Sequence, residues 1–426
     1  MNDGLPDDEV QWLFLDLNAY FASCEQQENP ALRDKPVIIL QTIADNACAI
    51  AASYEAKRLG IRTGTLLREA RQICRDVVPV KARHALYTQY HHRILEAVDT
   101  CLPIEKIMSI DEMACRLMGR EKKIPAARAL AMKVKHAIRE QVGDRMTCSI
   151  GLAPNIFLGK VGSDLKKPDG LVVLTKANLP GAMLNMKLQD IYGIGPRMEQ
   201  RLNRMGIYDV ARLWQTPQDE MRRVWGGING VLFYQMLHGA DIQPPESAEA
   251  KSMGHQHVLE PELRTHEGAK NFAFHLLTKA AERLRRGDYY CQRLAVNVSW
   301  CGDEESFYDE IGFQETWDTN FLLARLENLW ARVPKVGAGG RRTLKPLFVG
   351  VVLSGLVPAD AHQPDLFAQD AGSGRREKLS PLVDEINNRY GRGAIGFGMI
   401  SSDARARVSG FKGHAAFTRV PEEWEG

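Results

Sequence analysis

Apolar residues run from Trp12 without interruption and stop at Asp16, the pattern of a buried strand that delivers a carboxylate to a sheet edge. Ala19 to Glu25 then begin a helix, Pro36 to Leu40 read as a further strand, and Ala47 to Leu59 pass from an apolar stretch into a helix closed by Gly60. A helical stretch over Tyr87 to Cys101 leads into Ile107 to Leu117, whose alternation predicts a second strand carrying Asp111 and Glu112. That strand is expected beside the first. Ala126 to Val142 predict a helix, Met146 to Leu152 a strand, and Asn155 to Lys166 a helix ended by Pro168-Asp169-Gly170.

From Leu188 to Leu213 a helical pattern is interrupted by Gly193-Ile194-Gly195-Pro196, and Pro244-Pro245 with the polar Glu246 to Ala250 mark a linker. Beyond it come a strand (Ser252 to Leu259), a helix (Glu267 to Arg286), strands (Leu294 to Trp300 and near Phe307 to Phe313), a helix (Asn320 to Arg332) and a strand (Leu347 to Leu353). This β-α-β-β-α-β order describes a self-contained split βαβ domain. After Val357 the chain turns polar, a short helix over Ser380 to Tyr390 follows, and the tail is expected to be peripheral. The fold class is multi-domain α+β.

A chain of 426 residues, 44% of them hydrophobic, is long enough for several cores. Fifty-five basic against 53 acidic residues leave a formal charge of +2, so any basic surface has to be local. The eight cysteines form no Cys-x-x-Cys pair, which favours reduced thiols in a cytoplasmic protein over zinc or disulfides. The acidic start and the short apolar stretches suggest neither secretion nor membrane insertion. His91-His92 and His255-x-His257 read as structural or solvent-facing rather than as metal sites.

Three carboxylates on two strands, Asp16 and the adjacent pair Asp111 and Glu112, are what a divalent-metal centre for phosphoryl transfer requires, because hard oxygen ligands suit magnesium. Taken one segment at a time, a helix-capping Asp16 and exposed acids at 111 and 112 explain the residues equally well. The segments DLNAYFASCE (16–25), SYEAKRLGIRTG (53–64), SIDEM (109–113) and SIGLAPNIFLGKVGSDLKKPDG (149–170) together resemble, in order, the signature segments of the Y-family translesion DNA polymerases. The likeness covers residues from about 10 to 300.

The resemblance implies a right-hand polymerase: palm 1–19 and 81–174, fingers 20–80, helical thumb 175–240, linker 241–250, little finger 251–357 and a tail 358–426. It implies error-prone, template-directed transfer of deoxynucleotides from dNTPs to a primer terminus, with two Mg2+ ions. Asp16 and Asp111 would bridge both ions, Glu112 would hold the one at the primer hydroxyl, and Leu17 would offer its carbonyl to the nucleotide-bound one. Phe21 takes the position of the steric gate under the incoming sugar, next to Tyr20 in the nucleotide site. Tyr54, Lys57 and Lys167 take the triphosphate positions, although the family usually has arginine in place of Lys57. Lysine there is a point charge without a planar fork.

By the same resemblance Gly193 and Gly195 belong to a helix-hairpin-helix that approaches a DNA phosphate through backbone amides. Lys251, Arg285, Arg286, Arg341 and Arg342 are expected to gather on a little-finger face or edge along the DNA. Gln363-Pro364-Asp365-Leu366-Phe367 looks like a sliding-clamp peptide, with Gln363, Leu366 and Phe367 as anchors. The implied partners are primer-template DNA, dNTP and the clamp, for a monomer at the cytoplasmic nucleoid. A catalytically inactive accessory protein recruited to the clamp is the competing reading, and a palm-type cyclase a more distant one.

Overall fold

A computed structural model describes residues 6, 8–242, 251–302, 305–336, 343–362, 373–391 and 394–395. The chain divides into two compact units, one reaching to Pro245 and the other beginning at Glu246. None of the described helices is long and apolar enough to cross a membrane. All eight cysteines are free thiols, four of them buried.

The first unit opens with β1 (Trp12–Leu17), α1 (Tyr20–Glu28), β2 (Val37–Leu40), β3 (Ala49–Ala52), α2 (Tyr54–Arg58), α3 (Leu67–Ile73) and β4 (Val78–Lys81). Next come α4 (His84–Asp99), β5 (Lys106–Ile107), β6 (Glu112–Arg116), α5 (Ile124–Gln141), β7 (Cys148–Ala153), α6 (Ile156–Leu165) and β8 (Leu171–Val173). It closes with α7 (Pro196–Arg204), α8 (Val210–Gln215), α9 (Gln218–Trp225) and α10 (Ile228–Leu237).

β1 is the middle strand of the five-stranded sheet β5-β6-β1-β7-β8, which explains why its apolar run is continuous: both faces are covered. Leu13, Leu15 and Leu17 pack with residues of α4 and α5 on one side, while Trp12 and Phe14 turn the other way toward Ile156 of α6. α5 buries Ala127, Ala131, Val134 and Ile138, a stripe at helical spacing. β2, β3 and β4 form a separate three-stranded sheet in the order β3-β2-β4. Helices α7 to α10 share a core with α6, in which Leu202, Leu213, Met221 and Leu237 pack with Phe157, Leu158 and Val161.

The second unit contains β9 (Ser252–Val258), α11 (His266–Arg286), β10 (Tyr289–Trp300), β11 (Ser306–Thr316), α12 (Thr319–Trp330), β12 (Pro346–Ser354), β13 (Val357–Pro358) and α13 (Ser373–Tyr390). Its sheet runs β11-β10-β12-β9, all antiparallel, with α11 and α12 buried against one face. Alternate residues Leu294, Val296 and Val298 of β10 enter that core. The element order is the split βαβ arrangement expected from the sequence.

Two expectations for the second unit need correction. Arg285 does not join a DNA-facing surface: its Nε and Nη2 bind the Asp384 carboxylate of α13 at 2.6 and 2.8 Å, and Nη1 donates to the Trp317 carbonyl at 2.8 Å. A guanidinium this deeply buried needs such partners. The tail is not wholly peripheral either, since α13 starts before Ser380, puts Val383 in the core of this unit, and accepts the Thr319 amide on the Ser380 hydroxyl at 3.2 Å.

Candidate active site

Strand pairing brings the carboxylates together. In the antiparallel β1–β6 register Asp16 stands opposite Glu112, and on its other side β7 places Ser149 opposite Asp16. Asp111 lies in the turn just before β6 rather than on a strand, and its carbonyl accepts the Leu17 amide at 2.9 Å, which fixes it at the end of β1. Its carboxylate accepts the Ser109 hydroxyl at 2.6 Å. Burial raises the Asp111 and Glu112 pKa values, and the charge on Asp16 raises them further.

Two ammonium groups offset this crowding. Lys167 Nζ bonds Asp16 Oδ1 at 2.7 Å and Asp164 Oδ1 at 2.8 Å. Lys160 Nζ, on α6, bonds the other oxygen of Asp16 and lies 2.7 Å from Glu112 Oε1 and 3.4 Å from Asp164 Oδ2. Burial works against charge on Lys160, yet Asp16, Glu112 and Asp164 together raise its pKa. Lys160 was not singled out in the sequence. The signal that could have found it is the 160/164/167 spacing of lysine, aspartate and lysine along and just past one helix face.

Close packing of α6 on the sheet makes these contacts possible. Gly151 of β7 lies under Gly159 and Gly162 of α6, so backbone meets backbone with no side chain between them. Asn155 caps α6 by accepting the Leu158 amide at 2.7 Å, and its own amide group donates to the Met236 and Ala240 carbonyls, at 2.8 Å each. Asn18 holds the segment after Lys167: its Oδ1 accepts the Asp169 amide at 2.7 Å and its Nδ2 donates to the Ser149 hydroxyl at 3.0 Å.

Lys57 and Tyr54 on α2 lie within the electrostatic reach of Lys167 and Asp16. Lys57 Nζ sits 4.5 Å from the Tyr54 ring centroid on α2. Burial and the neighbouring Lys167 charge lower the Lys57 pKa, while burial raises that of Tyr54. Phe21 on α1 stacks on Tyr87 of α4 with centroids 4.6 Å apart, and the Tyr20 hydroxyl donates to the Tyr87 carbonyl at 2.6 Å. Gly193, at φ +87°, and Gly195, the N-cap of α7, lie in a turn that lines one pocket with Asp164. Gln363, Leu366 and Phe367 lie outside the described residues, as do Arg341 and Arg342. His91 is buried, with Nδ1 2.7 Å from the Ile110 carbonyl in the turn that carries Asp111.

The donor set has the chemistry a hard divalent cation needs. Among the described residues, though, no three such groups converge as a ready-made cage; Asp16 and Glu112 share the Lys160 ammonium instead.

Comparison with known proteins identifies the family. The profile of the impB/mucB/samB family matches residues 15–164, and that of the impB/mucB/samB family C-terminal domain matches residues 250–366. A DNA polymerase IV of Moorella thermoacetica is 34% identical over 395 residues, covering 90% of this chain and 94% of that protein. A DNA polymerase IV of Pelotomaculum thermopropionicum is 28% identical over 388 residues, covering 90% and 93%. The fold also resembles a solved Y-family DNA polymerase chimera, with a TM-score of 0.66 at 22% identity over 82% of this chain and 100% of that one. As a class, DNA polymerases work with divalent metal ions and act on primer-template DNA and dNTPs. The chain therefore belongs to the impB/mucB/samB family, the Y-family translesion DNA polymerases, and is a DNA-directed DNA polymerase.

Proposed function

We propose that this polymerase transfers deoxynucleotides by two-metal catalysis, with Asp16, Asp111 and Glu112 holding two Mg2+ ions and the Leu17 carbonyl completing the site. The observation that carries the reading is the register that sets Asp16 opposite Glu112 while Leu17 and Asp111 are tied backbone to backbone. Bound there, the ions would lower the pKa of the primer 3′-hydroxyl and neutralise charge on the leaving pyrophosphate. The remaining work falls to the chain's own cations and to positioning.

Lys57 and Lys167 are assigned to the triphosphate, with the Tyr54 hydroxyl as a further donor, so that charge growing on the pyrophosphate would meet positive groups. Phe21 takes the place of a wall beneath the sugar, with Tyr20 beside it. We assign the β5-β6-β1-β7-β8 sheet to a palm, residues 20–80 to fingers, 175–240 to a thumb whose Gly193 and Gly195 approach a DNA phosphate, and 251–357 to a little finger. Gln363, Leu366 and Phe367 are assigned to clamp binding, for a monomer working at the nucleoid.

The test is primer extension on an undamaged template with Mg2+ and four dNTPs, comparing wild type with Asp111→Ala/Glu112→Ala. Loss of extension by a double mutant that still binds DNA supports the two-metal site. Equal extension by both proteins refutes it.

A further inference from the structure

Glu25 is a carboxylate with 1% of its surface exposed, one helical turn beyond Phe21 on α1, and the mechanism above gives it no task. Residues four apart share a helix face. The Tyr87 ring, fully buried, lies against Phe21, and its hydroxyl donates to Glu25 Oε1 at 2.9 Å. Arg83, at the N-cap of α4 and one turn before Tyr87, closes the circuit: its Nε lies 3.1 Å from both Glu25 oxygens, and Nη2 bonds Oε2. Two pairs at four-residue spacing, Phe21 with Glu25 and Arg83 with Tyr87, thus interlock across the α1–α4 contact.

We propose that the Glu25–Arg83 ion pair, acting through the Tyr87 hydroxyl, is a positioning device that fixes the depth of Phe21 and thereby sets discrimination between deoxyribose and ribose. This rests on reading Phe21 as the gate beneath the incoming sugar. A gate that excludes one oxygen works only if it cannot recede by a fraction of an ångström, and a ring resting on another ring can slide. Tyr87 cannot slide without breaking the bond from its hydroxyl. The Tyr20 hydroxyl, bonded to the Tyr87 backbone carbonyl, ties the α4 backbone to α1 at the same level. Glu25 in turn is held on both oxygens, so the buried hydroxyl has an acceptor with no freedom to turn away.

A merely structural role, cementing α1 to α4, would affect stability and the use of all nucleotides alike. Positioning of the gate instead moves the ratio of kcat/KM for a dNTP to that for the matching NTP. The experiment measures that ratio by single-nucleotide primer extension for wild type, Phe21→Ala, Tyr87→Phe, Glu25→Met and Tyr87→Phe/Glu25→Met, with a thermal unfolding curve for each. Tyr87→Phe keeps the ring and removes only the tie, so it guards against a Glu25 variant that fails to fold.

The expected result is a ratio lowered about tenfold in Tyr87→Phe and Glu25→Met, equivalent to about 1.4 kcal/mol of discrimination. The gain should come in NTP use, with dNTP use nearly unchanged. The double mutant should fall no further than Glu25→Met alone, because both changes cut the same connection. Phe21→Ala with an increased use of NTPs beside unchanged ratios in Tyr87→Phe and Glu25→Met overturns the proposal and leaves the gate standing. An unchanged ratio in Phe21→Ala overturns the gate reading itself, and this inference with it.

Discussion

Replacing Gly151 by alanine tests whether the closeness of α6 to the sheet is what assembles the site. The added Cβ would lie 1.9 Å from the Gly159 carbonyl oxygen and 2.8 Å from the Ser163 amide nitrogen, both backbone atoms that no rotamer change can move. Ordinary contact begins at 3.4 Å. The helix must therefore retreat by about 1.5 Å or the strand must bend, an overpacking that costs about 1–3 kcal/mol. Because the clash is backbone on backbone, the upper end of that range is expected. The same retreat withdraws Lys160, now 2.7 Å from Glu112, beyond hydrogen-bonding distance. Misplacement by about 1 Å can cost about a hundredfold in rate. The assay pairs thermal unfolding with single-turnover primer extension at saturating dNTP, using Gly181→Ala as control, where a Cβ meets nothing within 4 Å. Gly151→Ala with the unfolding midpoint and extension rate of the wild type would refute the reasoning.

Lys160→Met should shift the acid limb of the pH–rate profile upward, because the Lys160 charge lowers the pKa values of Asp111 and Glu112, and without it these already raised carboxyls stay protonated to higher pH; an unmoved acid limb would show that Lys160 does not tune them. Lys57→Arg, which restores a planar fork, should lower KM for dNTP about threefold with little change in kcat, and an unchanged or higher KM argues against triphosphate contact. Arg285→Met leaves Asp384 without its partner and should destabilise the second unit by about 3 kcal/mol, the low end for breaking a buried pair because Asp384 keeps some exposure. Faster hydrogen exchange at Val383 should accompany it, and normal protection there would show that α13 is held by other contacts.

Much of the site could be read in the chain. The apolar run ending at Asp16 announces a buried strand because only a strand covered on both faces tolerates such continuity, and it does emerge as β1, whose place in the middle of the sheet only the structure decides. Periodicity likewise places α5, α6 and the β-α-β-β-α-β order of the second unit to within a few residues. Local pattern could not determine which side chains meet across elements distant in sequence. Lys160 reaches Asp16 across 144 positions because three glycines let a helix settle on a sheet, and glycine has no side chain to announce a contact. Arg285 looked like a DNA ligand because a basic residue at a helix end is usually solvated. Only its burial beside Asp384, 99 positions away, turns it into a core clamp. Asp16, Glu112 and the strands that bear them follow from sequence, whereas the turn that holds Asp111, the lysines that neutralise the carboxylates and the Glu25–Arg83 support behind Phe21 follow from tertiary packing.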